Sequence, residues 1–241
     1  MDVTAMTFPI FAQIEKAVAD VPGWTPLDEL YTLFNLAYFS AGTAGDIAEI
    51  GSWCGRSTSA LGLAARLSGG TRLTCIDLFP EKEDWTRNAD GTYSFSVKLG
   101  GSTYGGYQDQ TVWPEAFEAH HAKIYERYNG IYDAFKESVA RNGLQDLIDA
   151  HRGDSDVLRK CSEDSYRLAF LDGDHSYDAV CKDIRNVDRV LVRGGWICFD
   201  DAFSHYEGVN QAISDLIIAS PDYELCQQMT RKLFIARRKK D

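Results

Sequence analysis

No apolar run in this 241-residue chain approaches membrane-spanning length. Its first residues, MDVTAMTFPIF, carry no basic stretch leading into a long apolar one. The expectation is a protein with neither a bilayer span nor a secretory leader. Positive charge is scarce: 25 Lys and Arg face 36 Asp and Glu, a formal net charge of −11. That balance argues against nucleic acid and anionic membrane as partners, because both require a cationic face. The basic ending, Arg231-Lys232 and residues 237–240, is too short to reverse it and reads as a solvated strand end. The six cysteines include no CxxC pair and fall mostly in apolar segments. They are expected to be reduced core thiols of a cytoplasmic protein. A GxGxxG fingerprint is missing too, since Trp53 stands where its middle glycine would be. So bulky a side chain opposes close approach of a pyrophosphate, which counts against a nicotinamide-dependent oxidoreductase.

What is present suffices for a full core, with 44% hydrophobic residues, and the length suits one α/β domain spanning residues 1–241. Residues 1–42 read as helical, with Phe11, Ile14 and Val18, then Leu30, Leu33, Phe34, Ala37 and Tyr38 at helical spacing, broken by Pro22-Gly23. Strands are expected at 46–50, 72–76, 147–151, 168–171 and 196–199, the last launched by Gly194-Gly195. Closing strands follow at 223–227 and 232–236. Helices are expected at 56–67, 114–127, 132–142, 178–192 and 209–219, with a short one from Ser155 to about Lys160. Such alternation means a mainly parallel sheet covered by helices on both faces.

The densest signal lies in residues 168–202. One apolar run stops at Asp172, with Asp174 and His175 behind it; the next stops at Asp200-Asp201. A strand–helix–strand unit of this length is parallel, so both acidic ends face the edge where open α/β sheets bind ligands. Clustered carboxylates with an imidazole suggest a hard-metal site with a base beside it. Such a donor set suits Mg²⁺, less so Mn²⁺, and argues against zinc or copper. Adjacent acids on an ideal strand point to opposite faces, so Asp200 and Asp201 both reach an ion only if the backbone turns there. The alternative is that one of them caps the next helix or binds backbone.

A second signal is the turn from Glu49 to Thr58, EIGSWCGRST. Glycines at a first strand-to-helix turn let a ligand approach the backbone, and free N–H groups at the helix start favour an anion such as a carboxylate. Asp77, ending the second strand, suits a ribose diol. Arg56 reads as an exposed helix-start residue. His120 and His121 are read as solvent-facing, and His205 as near enough to the second acidic end to meet an acceptor.

Taken in order, the glycine turn, the acid of CIDLF, HRGDS after the third strand, and FLDGDHSYD followed by GG and FDD resemble class I S-adenosylmethionine-dependent methyltransferases. The resemblance runs over residues 44–236. DGDHSY followed by DD further resembles the metal-dependent macrocin O-methyltransferase group, which acts on sugar hydroxyls. It implies a Rossmann-like sheet with an N-terminal helical cap (1–45). It also implies that Glu49, Gly51, Ser57 and Thr58 surround the methionine end of the cofactor, with Ile50, Ser52 and Gly55 in the same turn. Asp77, with Leu78, would hold the ribose, and Asp154 and Ser155 would lie near the adenine. Asp172, Asp200 and Asp201 would carry Mg²⁺, with Asp172 and His175 also bordering the cofactor. The base would be Asp174, or else His175, which stands at the place where catechol-type O-methyltransferases carry a lysine base. Homo-oligomers are common in the group.

Residues 79–113 break the pattern, with Phe79, Trp85, Tyr93, Phe95, Tyr104, Tyr107 and Trp113 among flexible glycines. A long loop without structure of its own is usually functional or disordered, and the aromatics suggest a lid over a sugar acceptor or a packing contact. The expected activity is therefore Mg²⁺-dependent O-methylation of a sugar hydroxyl on a small molecule or oligosaccharide. A catechol or phenylpropanoid O-methyltransferase is the alternative, and a non-catalytic binding module a further one.

Overall fold

Apolar runs set between glycine turns build a seven-stranded sheet in the computed structural model, which describes residues 10–105 and 111–240. Residues 1–9 of the expected helical cap, and Tyr107, lie outside the described residues. Helices α1 (Ile10–Val18) and α2 (Leu27–Phe39) precede strand β1 (Asp46–Ile50), helix α3 (Arg56–Leu67) and strand β2 (Leu73–Asp77). An excursion of short strands follows: β3 (Trp85–Arg87), β4 (Tyr93–Leu99), β5 (Ser102–Gly105) and β6 (Thr111–Val112). A helical stretch then joins α4 (Pro114–Ala116) to α5 (Ala122–Arg127) through a π-helical turn at Phe117–His121. The core resumes with α6 (Ile131–Arg141), β7 (Ile148–Arg152), a 3₁₀ turn at Ser155–Lys160, β8 (Tyr166–Leu171), α7 (Tyr177–Val190) and β9 (Leu191–Phe199). Helix α8 (Glu207–Ile213), β10 (Tyr223–Gln228) and β11 (Phe234–Arg238) close the chain.

Strand order is β10-β11-β9-β8-β1-β2-β7, parallel from β9 to β7, with β11 antiparallel to both its neighbours. Order reverses at β1, which pairs β2 on one side and β8 on the other, so the crevice of such a sheet lies at their C-terminal ends. Burial follows the strand period. Ile47 joins the core beneath α1, α2, α3 and α6, while Ala48 and Ile50 join the core under α7 and α8. All six residues of β8 are buried, as expected of a strand covered on both faces. The sheet is the Rossmann-like arrangement expected. Among the described residues no helix is long and apolar enough to cross a membrane.

Two expectations need correction. Gly194-Gly195 lie inside β9 rather than before it, because the strand runs directly out of α7. Residues 79–113 are not structureless: β3, β4 and β5 form an antiparallel sheet, with β6 also paired to β4. The signal was readable, since Tyr93, Phe95, Val97 and Leu99 alternate with Ser94, Ser96 and Lys98. Cys54, Cys75, Cys181 and Cys198 are buried and Cys161 half-buried, but Cys226 is exposed; all six are free thiols.

Candidate active site

At the switch point, backbone bonds fasten the strand ends together. Gly51 N–H donates to Ile76 O (2.8 Å), Asp172 N–H to Ile50 O (2.8 Å) and Asp200 N–H to Leu171 O (3.0 Å). Gly51 adopts φ +89°, and a Cβ there would collide with the Asp172 carbonyl. Glycine is therefore required where the first turn abuts the acidic one.

Glu49 is fully buried and its carboxylate accepts from Ser52 Oγ (2.7 Å) and from Thr58 Oγ1. Burial raises its pKa, opposed by the Ser57, Thr58 and Ser52 hydroxyls. Asp77 braces the same turn: its oxygens accept from Trp53 N–H (2.8 Å) and Phe79 N–H (2.6 Å), holding both residues at positive φ. Asp154 caps the 3₁₀ turn through Asp156 N–H (3.1 Å) and pairs with Lys182. Ser155 Oγ accepts from Asn186 (2.9 Å). Close by on α7, burial raises the Asp183 pKa to about 7, against the pull of Ser155 and Lys182.

These turns open on one cavity of about 630 Å³. Of the residues expected at a cofactor, Ile50, Gly51, Ser52, Ser57, Asp77, Leu78, Asp154, Ser155, Asp172 and His175 line it. Glu49, Gly55 and Thr58 do not; they stand behind the turn.

Asp172, Asp200 and Asp201 come together as expected, with one oxygen of each within 4.8 Å of the others. Asp201 adopts φ +54°, the backbone turn that two adjacent acids require. Asp200 Oδ1 accepts from Asp201 N–H (2.7 Å). Burial, then the Asp200 charge, pushes the Asp172 pKa far up. Burial would raise that of Asp201 as well, but His175 and Lys232 outweigh it and the pKa falls. His175 Nε2 lies 3.1 Å from Asp201 Oδ2, and its ring stacks on Tyr206 at 3.9 Å. Asp174 lies on the cavity wall, with Oδ1 accepting from Ser176 N–H (2.7 Å).

Two charged groups at this cluster escape the sequence reading. Lys232 is not a solvated strand end. Its side chain is only 12% exposed, and Nζ lies 2.9 Å from Asp200 Oδ2 and 3.3 Å from Asp201 Oδ1. Burial works to lower its pKa, and the Asp200, Asp201 and Asp172 carboxylates reverse that and raise it. Glu29, on α2, is fully buried, with Oε2 3.9 Å from Lys232 Nζ. Its pKa is pushed up to about 8, by burial and then by the Asp200 charge. Neither residue carries a local motif; the β10–β11 turn and the helical cap deliver them.

The far wall is aromatic. Trp24, Trp53, Trp85, Phe95, Tyr104 and Trp113 line it, together with His120, whereas His205 lines the cavity beside the acids, its ring 4.0 Å from that of Tyr206. His121 is buried rather than solvent-facing, enclosed by Trp24, Trp53, Trp85 and Phe117 with ring centroids 5.0–5.6 Å away, and burial lowers its pKa to about 4. Phe79 is core, packed on Tyr132 and Phe135, and Tyr93 stacks on Phe117. Arg56 is half-buried, not free: Nε donates to Thr25 O (2.9 Å) and Nη1 to Val18 O (2.8 Å) and Val21 O (3.3 Å). It straps the 22–25 segment onto the cavity rim.

Comparison with known proteins agrees with this geometry. Residues 48–202 match the family described as "Methyltransferase domain". Among solved structures, the O-methyltransferase NovP is 16% identical with TM-score 0.57, the match covering 90% of this chain and 83% of that one. TomG of Streptomyces achromogenes, an O-methyltransferase involved in tomaymycin synthesis and solved with SAM, is 14% identical with TM-score 0.56, covering 98% and 93%. CalS11, a TDP-rhamnose 3'-O-methyltransferase of calicheamicin biosynthesis, is 15% identical with TM-score 0.51, covering 98% and 99%. At such identities the likeness is one of fold.

Proposed function

This chain belongs to the methyltransferase-domain family, and on that footing we propose that it transfers a methyl group from S-adenosylmethionine to a sugar hydroxyl, assisted by a divalent cation, Mg²⁺ foremost, at Asp172, Asp200 and Asp201. The observation that carries the reading is the single cavity. It runs from the glycine turn, past the three carboxylates, to aromatic rings suited to packing on a sugar. CalS11, of the same fold, is named for a sugar acceptor, which supports that choice.

When bound, the cofactor supplies a sulfonium methyl open to in-line attack, and the cation a Lewis acid that lowers the pKa of the hydroxyl it holds. The clustered hard oxygens, including those of an Asp172 whose pKa is driven up by burial and then by the Asp200 charge, fit such a cation. Gly51, Ser52 and Ser57 would border the cofactor carboxylate, and the N–H groups that the first turn of α3 leaves without helical partners would hold it. Asp77 retains lone pairs beyond those used by Trp53 and Phe79, enough to accept from ribose hydroxyls. Asp154 and Ser155 would border the adenine.

Asp174 is the base in this reading. The Ser176 N–H fixes one of its oxygens while the carboxylate faces the cavity. His175 is held by Asp201 and Tyr206, and its part is to keep Asp201 in place.

The test is mass-spectrometric detection of methyl transfer from S-adenosylmethionine to a panel of glycosides, oligosaccharides and catechols, with Mg²⁺ or with EDTA. A single methyl gain on a sugar, lost with EDTA, is expected. Gain on catechols alone would replace the sugar assignment. Transfer surviving EDTA would remove the cation from the reaction.

A further inference from the structure

Lys232 stands in the bite of the two acids that would grip a cation. Its ammonium bridges Asp200 Oδ2 at 2.9 Å and Asp201 Oδ1 at 3.3 Å. The other two oxygens of that pair are taken as well, Asp200 Oδ1 by the Asp201 N–H at 2.7 Å and Asp201 Oδ2 by His175 Nε2 at 3.1 Å. Every oxygen of the bite therefore already has a donor from the protein. A few ångströms behind lies Glu29. Its Oε1 accepts from Thr230 Oγ1 (3.0 Å), whereas Oε2 is buried without a hydrogen-bond partner, 3.9 Å from the same ammonium. A buried acid oxygen left so is costly, and an ammonium moved towards it would satisfy it.

We propose that Lys232 is the resident counter-ion of this cluster, and that a divalent cation binding Asp172, Asp200 and Asp201 displaces its ammonium towards Glu29. The inference rests on the cation reading above. Electrostatics gives the direction. Without a divalent ion, the ammonium neutralises carboxylates that would otherwise repel one another in a buried site. With one, two like charges would share the same oxygens at short range, where repulsion is strong. Lysine suits the task because a flexible four-carbon stem lets a point charge move between neighbouring acids. Glu29 supplies the second berth, so the ammonium need not be exposed to the apolar wall.

Two properties follow. Intrinsic affinity for a divalent ion is held down by the competing ammonium, and the ion-free protein is protected from its own acids. The experiment titrates Mn²⁺ alone into wild type and Lys232→Met, reading free Mn²⁺ by electron paramagnetic resonance and unfolding by circular dichroism. Lys232→Met should bind Mn²⁺ at least about tenfold more tightly, because the competing charge is gone. It should melt lower than wild type without the ion and gain more from its addition. Lys232→Arg retains the charge and should keep wild-type affinity or weaker. Should Lys232→Met fail to fold without the ion, Lys232→Gln carries the comparison. Equal or weaker Mn²⁺ binding by the neutral variants would overturn the proposal while leaving the cation site standing. No binding by any folded variant would remove the cation site itself, and this proposal with it.

Discussion

Asp200 ends strand β9 with one oxygen on the next residue's N–H and the other on Lys232. The Asp200→Asn substitution keeps that shape but removes the charge a cation needs. It should lower cation-dependent turnover at least about a hundredfold while cofactor affinity stays near wild type, since the ion serves the acceptor. Calorimetry with S-adenosylmethionine beside a turnover assay checks both halves, and unchanged turnover would take Asp200 out of the site. Asp183 makes a prediction about pH. Its folded pKa, about 7, lies above the ordinary 3.8, so the folded state binds more protons between those values. Wild-type stability should therefore fall as pH rises from about 4 to about 7, by up to roughly 4 kcal/mol from this group. Asp183→Asn should flatten that slope and be the more stable protein at pH 8, as urea denaturation at pH 5 and pH 8 would register. At this scale the sequence was a good guide wherever acids end apolar runs, as Asp172, Asp200 and Asp201 do. It misplaced Lys232 as a solvated strand end and was silent on Glu29, because the charge that defines them belongs to residues distant in the chain.

Among the elements, the 22–25 segment that joins α1 to α2 forms part of the cavity wall, held by Arg56 at the start of α3. Three backbone carbonyls between α1 and α2 depend on its guanidinium. Arg56→Ala should cost about 3 kcal/mol, because the charged donor is lost and the Thr25 and Val21 carbonyls are left poorly paired, while Val18 O keeps the Val21 N–H. It should also raise the acceptor KM more than the cofactor Kd, since Trp24 rides on the same segment. Chemical denaturation and steady-state kinetics would report the two effects, and an unaltered melting curve would refute the strapping role. The central strands were legible because buried parallel strands read as short apolar runs between glycines. The insert was obscured by its serines and glycines. Its strands pair with one another and are also anchored from outside the segment, by α5: Trp85 Nε1 donates to Tyr125 Oη (2.8 Å), which donates to Pro80 O (2.7 Å).

For the molecule as a whole, the reversal of strand order at β1 determines where everything else can be. Gly51→Ala would force a methyl group into the Asp172 carbonyl and part β1 from β8. Loss of cofactor binding together with a large drop in soluble yield is expected, and a well-folded, cofactor-binding alanine variant would contradict the contact. The parallel character of the sheet and the edge that bears the site followed from the alternation of elements; the strand order did not. The depth of the cavity did not, since it depends on how an aromatic insert and a helical cap close over that edge.

The same contact has a mechanical side. Gly51 belongs to the turn we propose faces the methyl donor and Asp172 to the turn we propose faces the acceptor, and their main chains meet with no room for a Cβ between them. Two rigid strand ends in direct abutment behave as a fixed gauge. Fluctuations of the insert or of the cap alter how an acceptor enters, but the spacing between the two turns is set by the covalent bulk of the peptide backbone.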